Sequence, residues 1–332
     1  MSAENSMDAL VLRSHNSPFV RATVARPVPG PGQVLVRIKA SGVNPLDLKI
    51  KSGHAAHAKH PLPAILGMDL AGVVEEVGSE CTGFKPGDEV YGLTGGVGGL
   101  QGSLAELAAV DYELLAPKPV NLDMREAAAL PLTFITAWEG LVDRAQVEAR
   151  LKVLVQGVGG VGNIAIQIAR AFGAEVFGVD SVEKSSLIEQ LGATAINYRE
   201  SAVDEYVADH TGGNGFDIVY DTVGGAGLDA SFHAVRRFGH VVSCLGWGTH
   251  SLGPLSFRAA SYSGVFTLLP MLTGQGRAHH GNIMREATRL VEDGKIVPRV
   301  DPHRFSLDSV ADAYRLMETR GVAGKVVIDV DT

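Results

Sequence analysis

The chain has 332 residues and a formal net charge of −8, with 45% apolar and 20% charged residues. This composition fits a folded globular protein of two domains, because a single core rarely grows beyond about 250–300 residues, and an acidic balance without long single-sign blocks excludes nucleic acid or an anionic membrane as the main partner. Cys81 and Cys244 are the only cysteines, which excludes a disulfide framework and a four-thiolate zinc site and leads us to expect a reducing compartment.

The opening MSAENSMDAL has neither a basic segment nor an apolar core, and no run of about 20 apolar residues follows. A cytoplasmic protein without a membrane partner is expected. Ala9–Arg13 and Gln33–Ala40 have strand character on either side of the turn-forming PVPGPG (Pro27–Gly32). Ala71–Val77, Asp88–Tyr91, Leu104–Val110 and Tyr112–Leu115 continue the pattern, which predicts a barrel-like or sandwich-like β unit up to about residue 120. GLTGGVGGLQG (Gly92–Gly102) is expected to be a flexible loop, either bordering a ligand site or joining a long hairpin. Met124–Leu130 and Thr133–Asp143 look helical, separated by Pro131.

Leu151–Asp180 then holds a complete supersecondary unit. Val153, Leu154 and Val155 form an apolar strand without alternation, as in a parallel sheet covered on both faces. Gly157, Gly159 and Gly162 complete G-x-G-x-x-G, with Gly160 and Val161 inside it. Val161, Ile164, Ala165, Ile168, Ala169 and Phe172 give the following helix one apolar face. The first N–H groups of that helix lack intrahelical partners, so a pyrophosphate can be held there by main chain and dipole. Asp180 closes the strand Glu175–Val179 about 20 residues beyond the glycines, where a carboxylate receives ribose hydroxyls. A dinucleotide site is therefore expected; the plainer alternative is a tight turn needed only for packing.

Strands at Thr194–Tyr198, Asp217–Asp221, His240–Leu245 and Gly264–Leu269 alternate with helices near Glu183–Leu191, Ala226–Arg237 and Gly281–Asp293. That order predicts an α/β fold with a doubly wound parallel sheet. Ile296–Val330 breaks the rhythm with a helix around Leu307–Thr319 and a strand Lys325–Val330, as expected if the chain returns to complete the first domain. The expected division is 1–124 with 270–332, and 125–269.

ASGVNPLDLKIKSG (Ala40–Gly53), LGMDLAGVVEEVG (Leu66–Gly78), FKPGDEVYG (Phe84–Gly92), LPLTFITAW (Leu130–Trp138), VLVQGVGGVG (Val153–Gly162) and GKVVID (Gly324–Asp329) occur in this order. Together they resemble the zinc-independent medium-chain dehydrogenase/reductases of the quinone oxidoreductase-like branch. The resemblance implies a GroES-like catalytic domain, made from both chain ends, around a Rossmann domain. Zinc-dependent relatives place a cysteine where Asn44 stands and a His-Glu pair at Met68 and Asp69, so no zinc is expected. His54, His57 and His60 could seat a metal on a helix, but Pro61 and Pro63 favour a solvated loop.

Without a Lewis acid, alcohol dehydrogenation is disfavoured. Quinones and α,β-unsaturated carbonyl compounds spread the arriving charge, and hydrogen bonds at oxygen can suffice. Asn44, Lys49 and Thr136 are the candidate catalytic residues, Thr136 by resemblance to a position that contacts nicotinamide or its ribose. Each has a plain alternative: a turn before Pro45, a surface charge, a packed helix residue. Relatives that use NADPH hold the 2′-phosphate with residues matching Lys184, Tyr198 and Arg320, whereas Asp180 suits two ribose hydroxyls and repels a phosphate. NADH or dual use of NADH and NADPH is expected, with Phe266 among the cofactor contacts. The run Ser263–Leu272 resembles an edge strand that pairs across a homodimer. The rivals are an enoyl-thioester reductase and a non-catalytic NAD(P)H-binding protein.

Overall fold

Residues 5–319 and 321–330 are described by a computed structural model of the chain. Contacts between residues divide them into two units: one runs to Leu132 and resumes at Leu268, the other is Thr133–Thr267. The outgoing boundary falls later than the expected residue 124. The short helix Met124–Ala128 buries Ala127 and Ala128, and its Arg125 donates to Asp329 at 2.7 Å, which ties it to the strands of the first unit.

In chain order the first unit begins with β1 (Ser6–Leu12), β2 (Phe19–Ala25), β3 (Gln33–Gly42), α1 (Pro45–Lys51), β4 (Ala64–Ile65), β5 (Asp69–Val77), β6 (Glu89–Leu93), β7 (Leu107–Asp111), β8 (Leu115–Pro117) and α2 (Met124–Ala128). The strand β2 was not evident in the sequence because FVRATVA alternates between partly covered and exposed residues, with no buried face. Tyr112–Leu114, expected as strand, is a 3₁₀ turn, because the Asp111 carboxylate takes the N–H of Glu113 at 3.0 Å and curls the chain. Gly92–Gly102 begins in β6 and continues as a loop that is packed over much of its length. Its first six residues are buried, and a Cβ on Gly102 would lie 2.2 Å from Leu66 O. Glycine is there for close packing.

The helix α3 (Pro131–Trp138) leads into the nucleotide unit, with β9 (Lys152–Gln156), α4 (Gly160–Ala171), β10 (Glu175–Asp180), α5 (Ser185–Gln190), β11 (Thr194–Asn197), α6 (Val203–Thr211), β12 (Phe216–Asp221), α7 (Ala226–Ala234), β13 (Val235–Ser243), α8 (Gly253–Ser256) and β14 (Ser261–Gly264). The sheet order β11-β10-β9-β12-β13-β14 is all parallel, the arrangement of a doubly wound nucleotide fold. Leu154, Phe177, Val219, Phe232 and Val241 share its core, each contributing roughly 1.5–3 kcal/mol by burial.

Two expectations fail here. Val235–Arg237 belongs to β13 rather than to the preceding helix, because Val235 pairs with Phe216 in the sheet. The last strand is Ser261–Gly264 and not Gly264–Leu269, and only Ser263 and Gly264 of the run Ser263–Leu272 lie in it. The chain turns at Thr267 and Leu268, and Pro270 stands in the first turn of the helix that begins at Leu269.

The chain then returns through α9 (Leu269–Thr273), α10 (Arg277–Glu292), β15 (Phe305–Ser306), α11 (Val310–Glu318) and β16 (Val327–Asp329). In the first unit, β16 pairs antiparallel with β3 over Ala40–Gly42, and β3 pairs with β5 along its other side. Both cysteines are free thiols. Among the described residues no helix is long and apolar enough to cross a membrane. Removing residues 325–332 takes away β16 and the partner of a buried carboxylate, Asp69. Thermal denaturation should show a fall in Tm of roughly 10 °C or more.

Candidate functional site

The nucleotide unit ends β9 in a tight turn. Gly157 has φ 81°, and a Cβ on Gly162 would sit 1.9 Å from Gly157 O, so the helix α4 closes onto the turn only with glycine there. Gly159 caps this helix, and a Cβ there would meet nothing within 4 Å, which leaves the approach to the first N–H groups open. Gly160 and Val161 are the first helical residues. Asp180 reaches back from the end of β10. Its Oδ2 accepts the N–H of Val158 at 2.7 Å and its Oδ1 that of Ser181 at 2.7 Å. Both oxygens retain lone pairs for ribose hydroxyls, so turn, helix and carboxylate fit a dinucleotide.

Two of the residues expected at a 2′-phosphate, Lys184 and Tyr198, follow the ends of β10 and β11. Tyr198, more than half exposed, donates its N–H to Asp180 O at 3.2 Å. Lys184 closes the short turn Val182–Lys184 after β10. Arg199 was not anticipated. Its guanidinium lies 5.5 Å from the centre of the Tyr198 ring and 3.5 Å from Glu183 Oε1, and no sequence motif marks such surface charges. Arg320 lies outside the described residues. Phe266 follows β14 and meets Trp247 edge to face at 6.1 Å.

Thr136 is buried in α3. Its Oγ lies 3.1 Å from Thr267 Oγ, and Thr267 donates to Glu139 Oε2 at 2.9 Å, so in this pair Thr136 donates to Thr267. Tyr220 OH donates to the carbonyl of Thr136 at 2.6 Å. Glu139 opens a π-helical turn, Glu139–Arg144, the kind of irregularity that recurs at functional sites. Neither Thr267 nor Glu139 carries a signal in the sequence.

In the first unit, Asn44, Asp47, Asp69 and Lys325 form one buried polar cluster. Lys325 Nζ donates to Asn44 Oδ1 and, at 2.8 Å, to Asp69 Oδ2. Asn44 Nδ2 donates to the same Asp69 oxygen at 2.9 Å, and Asp69 Oδ1 accepts the N–H of Leu132 at 2.8 Å. Asn44 is therefore engaged through both ends of its amide. Asp47 Oδ2 accepts the N–H of Asn44 at 2.8 Å and closes the first turn of α1, while its Oδ1 is buried without a hydrogen bond. Burial pushes the Asp47 carboxyl up to about 7, with Asp69 adding to the rise and the Asn44 N–H and Lys325 opposing it. Lys49 stands exposed on α1, apart from this cluster's hydrogen bonds. The lysine of GKVVID and the acid of LGMD are visible in the sequence, but nothing there pairs them.

The amino-acid pattern of residues 30–120 matches the family described as "Alcohol dehydrogenase GroES-like domain", and that of residues 191–328 the one described as "Zinc-binding dehydrogenase". A 2-methylene-furan-3-one reductase of Solanum lycopersicum is 37% identical, with 97% of this chain and 76% of that protein aligned. The chain belongs to the medium-chain dehydrogenase/reductase family, in its quinone oxidoreductase-like branch. A "NADPH-dependent alkenal/one oxidoreductase, chloroplastic" of Arabidopsis thaliana is 36% identical over 89% of this chain and 72% of its own. An alcohol dehydrogenase superfamily protein from Novosphingobium aromaticivorans has the same fold, with a TM-score of 0.96 and 57% identity over 98% of this chain and 100% of its own. Like its named relatives, this medium-chain dehydrogenase/reductase is an oxidoreductase.

The donor set at positions 44, 68 and 69 does not fit zinc in this family member. Asn44 and Asp69 are bonded to an ammonium, and Met68 offers a thioether. His54 bonds to Ser52 Oγ at 3.1 Å, and His60 Nδ1 takes the N–H of Gly99 at 3.2 Å. Among the described residues no three His, Cys, Asp or Glu side chains converge to hold a metal.

The raised Asp47 carboxyl makes a pH prediction. The folded state keeps its proton up to about 7 and the unfolded chain only to the ordinary value of 3.8, so this group's contribution is present below the lower value and lost as pH rises through the higher. Asp47→Asn should therefore gain in stability relative to wild type by up to about 1.4 kcal/mol per pH unit across that window. Paired denaturant titrations at pH 5 and pH 8 measure it.

Proposed function

We propose that this chain is a zinc-independent reductase that passes hydride from NADH or NADPH to quinones and α,β-unsaturated carbonyl compounds. The observation that carries this reading is the buried ion pair of Lys325 with Asp69, joined by Asn44, at positions that would have to be free for a metal. Without a Lewis acid to stabilise an alkoxide, the accessible acceptors are those that delocalise the charge they receive. A reduced nicotinamide dinucleotide, its pyrophosphate held at the glycine turn, would supply the hydride. The protein's own work is to hold the dinucleotide at the N-terminus of α4, orient its nicotinamide half through Thr136, exclude water and stabilise the developing oxyanion. Lys49 remains a candidate contact of the acceptor.

NADH or dual use is the reading favoured by Asp180. Its carboxylate is fixed by two N–H groups where a 2′-phosphate would approach, and a close like-charge contact costs on the order of a few kcal/mol when poorly solvated. Lys184, and Arg199 beside Tyr198, supply the opposing charge that keeps NADPH in use, as the name of the Arabidopsis relative suggests. We also place the chain in the cytoplasm as a homodimer. β14 has a strand neighbour on one side alone, and the apolar side chains of Leu252 and Phe257, which precede it, are exposed.

Purified wild type should oxidise NADH or NADPH with 9,10-phenanthrenequinone and with an alkenal, before and after chelator treatment, and should not oxidise a primary alcohol. Binding of cofactor without turnover across that panel would instead mean a non-catalytic nucleotide-binding protein. Asp180→Ser should raise the ratio of NADPH to NADH affinity at least about tenfold, since about 1.4 kcal/mol of removed repulsion gives that factor. Fluorescence titration with both cofactors measures it, and a wild type that already strongly prefers NADPH would contradict the weight given to Asp180.

A further inference from the structure

We propose that Lys325 is the electrophile of this reductase: its ammonium donates a hydrogen bond to the acceptor's carbonyl oxygen as negative charge develops there. This rests on the reading of the chain as a reductase of conjugated carbonyl compounds.

The geometry behind it is the accounting of one ammonium. An ammonium has three N–H donors; Asn44 Oδ1 takes one, Asp69 Oδ2 takes another, and the third has no acceptor among the described residues. Asn44 has no comparable reserve, because its Nδ2 is bonded to Asp69 and faces Gly42 O at 3.4 Å. The Asp69 side chain is fully buried, whereas that of Lys325 keeps 9% of its surface accessible. Lys325 is thus the member of this ion pair whose side chain keeps accessible surface.

Its root is fixed as well. The N–H of Lys325 donates to Arg299 O at 2.7 Å and its carbonyl accepts the N–H of Asp301 at 2.9 Å. Folding has thus already ordered a side chain that would otherwise lose rotamer freedom on binding. A donor held this way needs no reorganisation when charge develops. Stability alone is a poor reason for the arrangement, since a buried ion pair is commonly matched or bettered by apolar residues of similar volume. The other oxygen of Asp69 holds the N–H of Leu132, and the next residue, Thr133, packs on Gly160 at the glycine turn.

The electron balance is simple. Hydride arrives at the β-carbon as the reduced nicotinamide becomes oxidised; a new C–H bond forms there, the C=C pair shifts toward the carbonyl, and the oxygen carries the charge of an enolate. Water then supplies a proton at the α-carbon. Lys325 keeps its own proton throughout and acts by a charge-assisted hydrogen bond.

Lys325→Met alone would leave Asp69 buried without its counter-charge, so the informative variant is Lys325→Met with Asp69→Asn. We expect it to melt within a few degrees of wild type and to bind NADH and NADPH with Kd within threefold. Its kcat/KM for an alkenal should fall about 100- to 1,000-fold, the usual loss when an oxyanion donor is removed. For 9,10-phenanthrenequinone, whose product charge is delocalised, the fall should stay below about tenfold. A second readout needs no turnover: wild type should bind 4-nitrophenol, an enolate mimic, as the yellow phenolate below the pH at which it ionises in water, and the double variant should not. A rise in cofactor Kd that accounts for the lost activity would make Lys325 a cofactor ligand and overturn the proposal. Equal losses with alkenal and quinone, or no loss, would overturn it too. Should wild type reduce no conjugated acceptor, the functional reading fails first and the electrophile with it; turnover by wild type with an unaffected double variant removes Lys325 alone.

Discussion

Two carboxylates and one ammonium share the interior of the first unit, and much of its architecture follows from balancing them. Asp69 is buried completely and could not remain charged there without a partner. That partner is Lys325, which lies 256 positions further along the chain. Bringing it in requires the polypeptide to build the whole nucleotide sheet and then return, lay β16 against β3 and seat Lys325 between Asn44 and Asp69. Asp47, with one buried oxygen left unbonded, then finds that a proton is its least costly companion. The discontinuity of the first unit and the chemistry of its interior are two aspects of one electrostatic requirement.

The nucleotide unit obeys a different constraint, which is local. Gly157, Gly162, Val158 and Asp180 come from a single strand-turn-helix-strand segment, and their contacts, 2.7 Å from Asp180 to Val158 among them, close within 22 positions. Short-range geometry of this kind is written in residue spacing, so the dinucleotide site was legible from the glycines and the acid alone. The centre of the parallel sheet was equally legible, since Val153–Val155 in β9 and Val176–Val179 in β10 are buried runs of mostly apolar residues.

Where the sequence was misread, competing physical effects had decided. Val235–Arg237 continues a helical pattern, yet Val235 is claimed by its sheet neighbour Phe216. SGVFTLLPML has the composition of a strand along its length, but the chain leaves the sheet after Gly264 and enters a helix at Leu269, with Pro270 in its first turn. The glycines of Gly92–Gly102 suggest mobility, although the structure uses Gly102 to bring two backbones together. Lys325 shows a more basic limit: its block GKVVID could be matched to a family, but a partnership across 281 positions with Asn44 leaves no trace in local pattern. Thr267 and Glu139 escaped for the same reason, as they meet Thr136 through tertiary contact.

The return of the chain also sets an order in time. Residues 133–267 are contiguous and hold their sheet strands within themselves, so a growing polypeptide carries everything this unit needs well before synthesis is complete. The first unit must wait. Until residues 325–329 leave the ribosome, Ala40–Gly42 of β3 lack their antiparallel neighbour and Asp69 has no ammonium beside it. A nascent chain therefore carries, until those residues emerge, a half-closed β unit attached to a finished nucleotide fold, and that interval is when chaperones have most to protect.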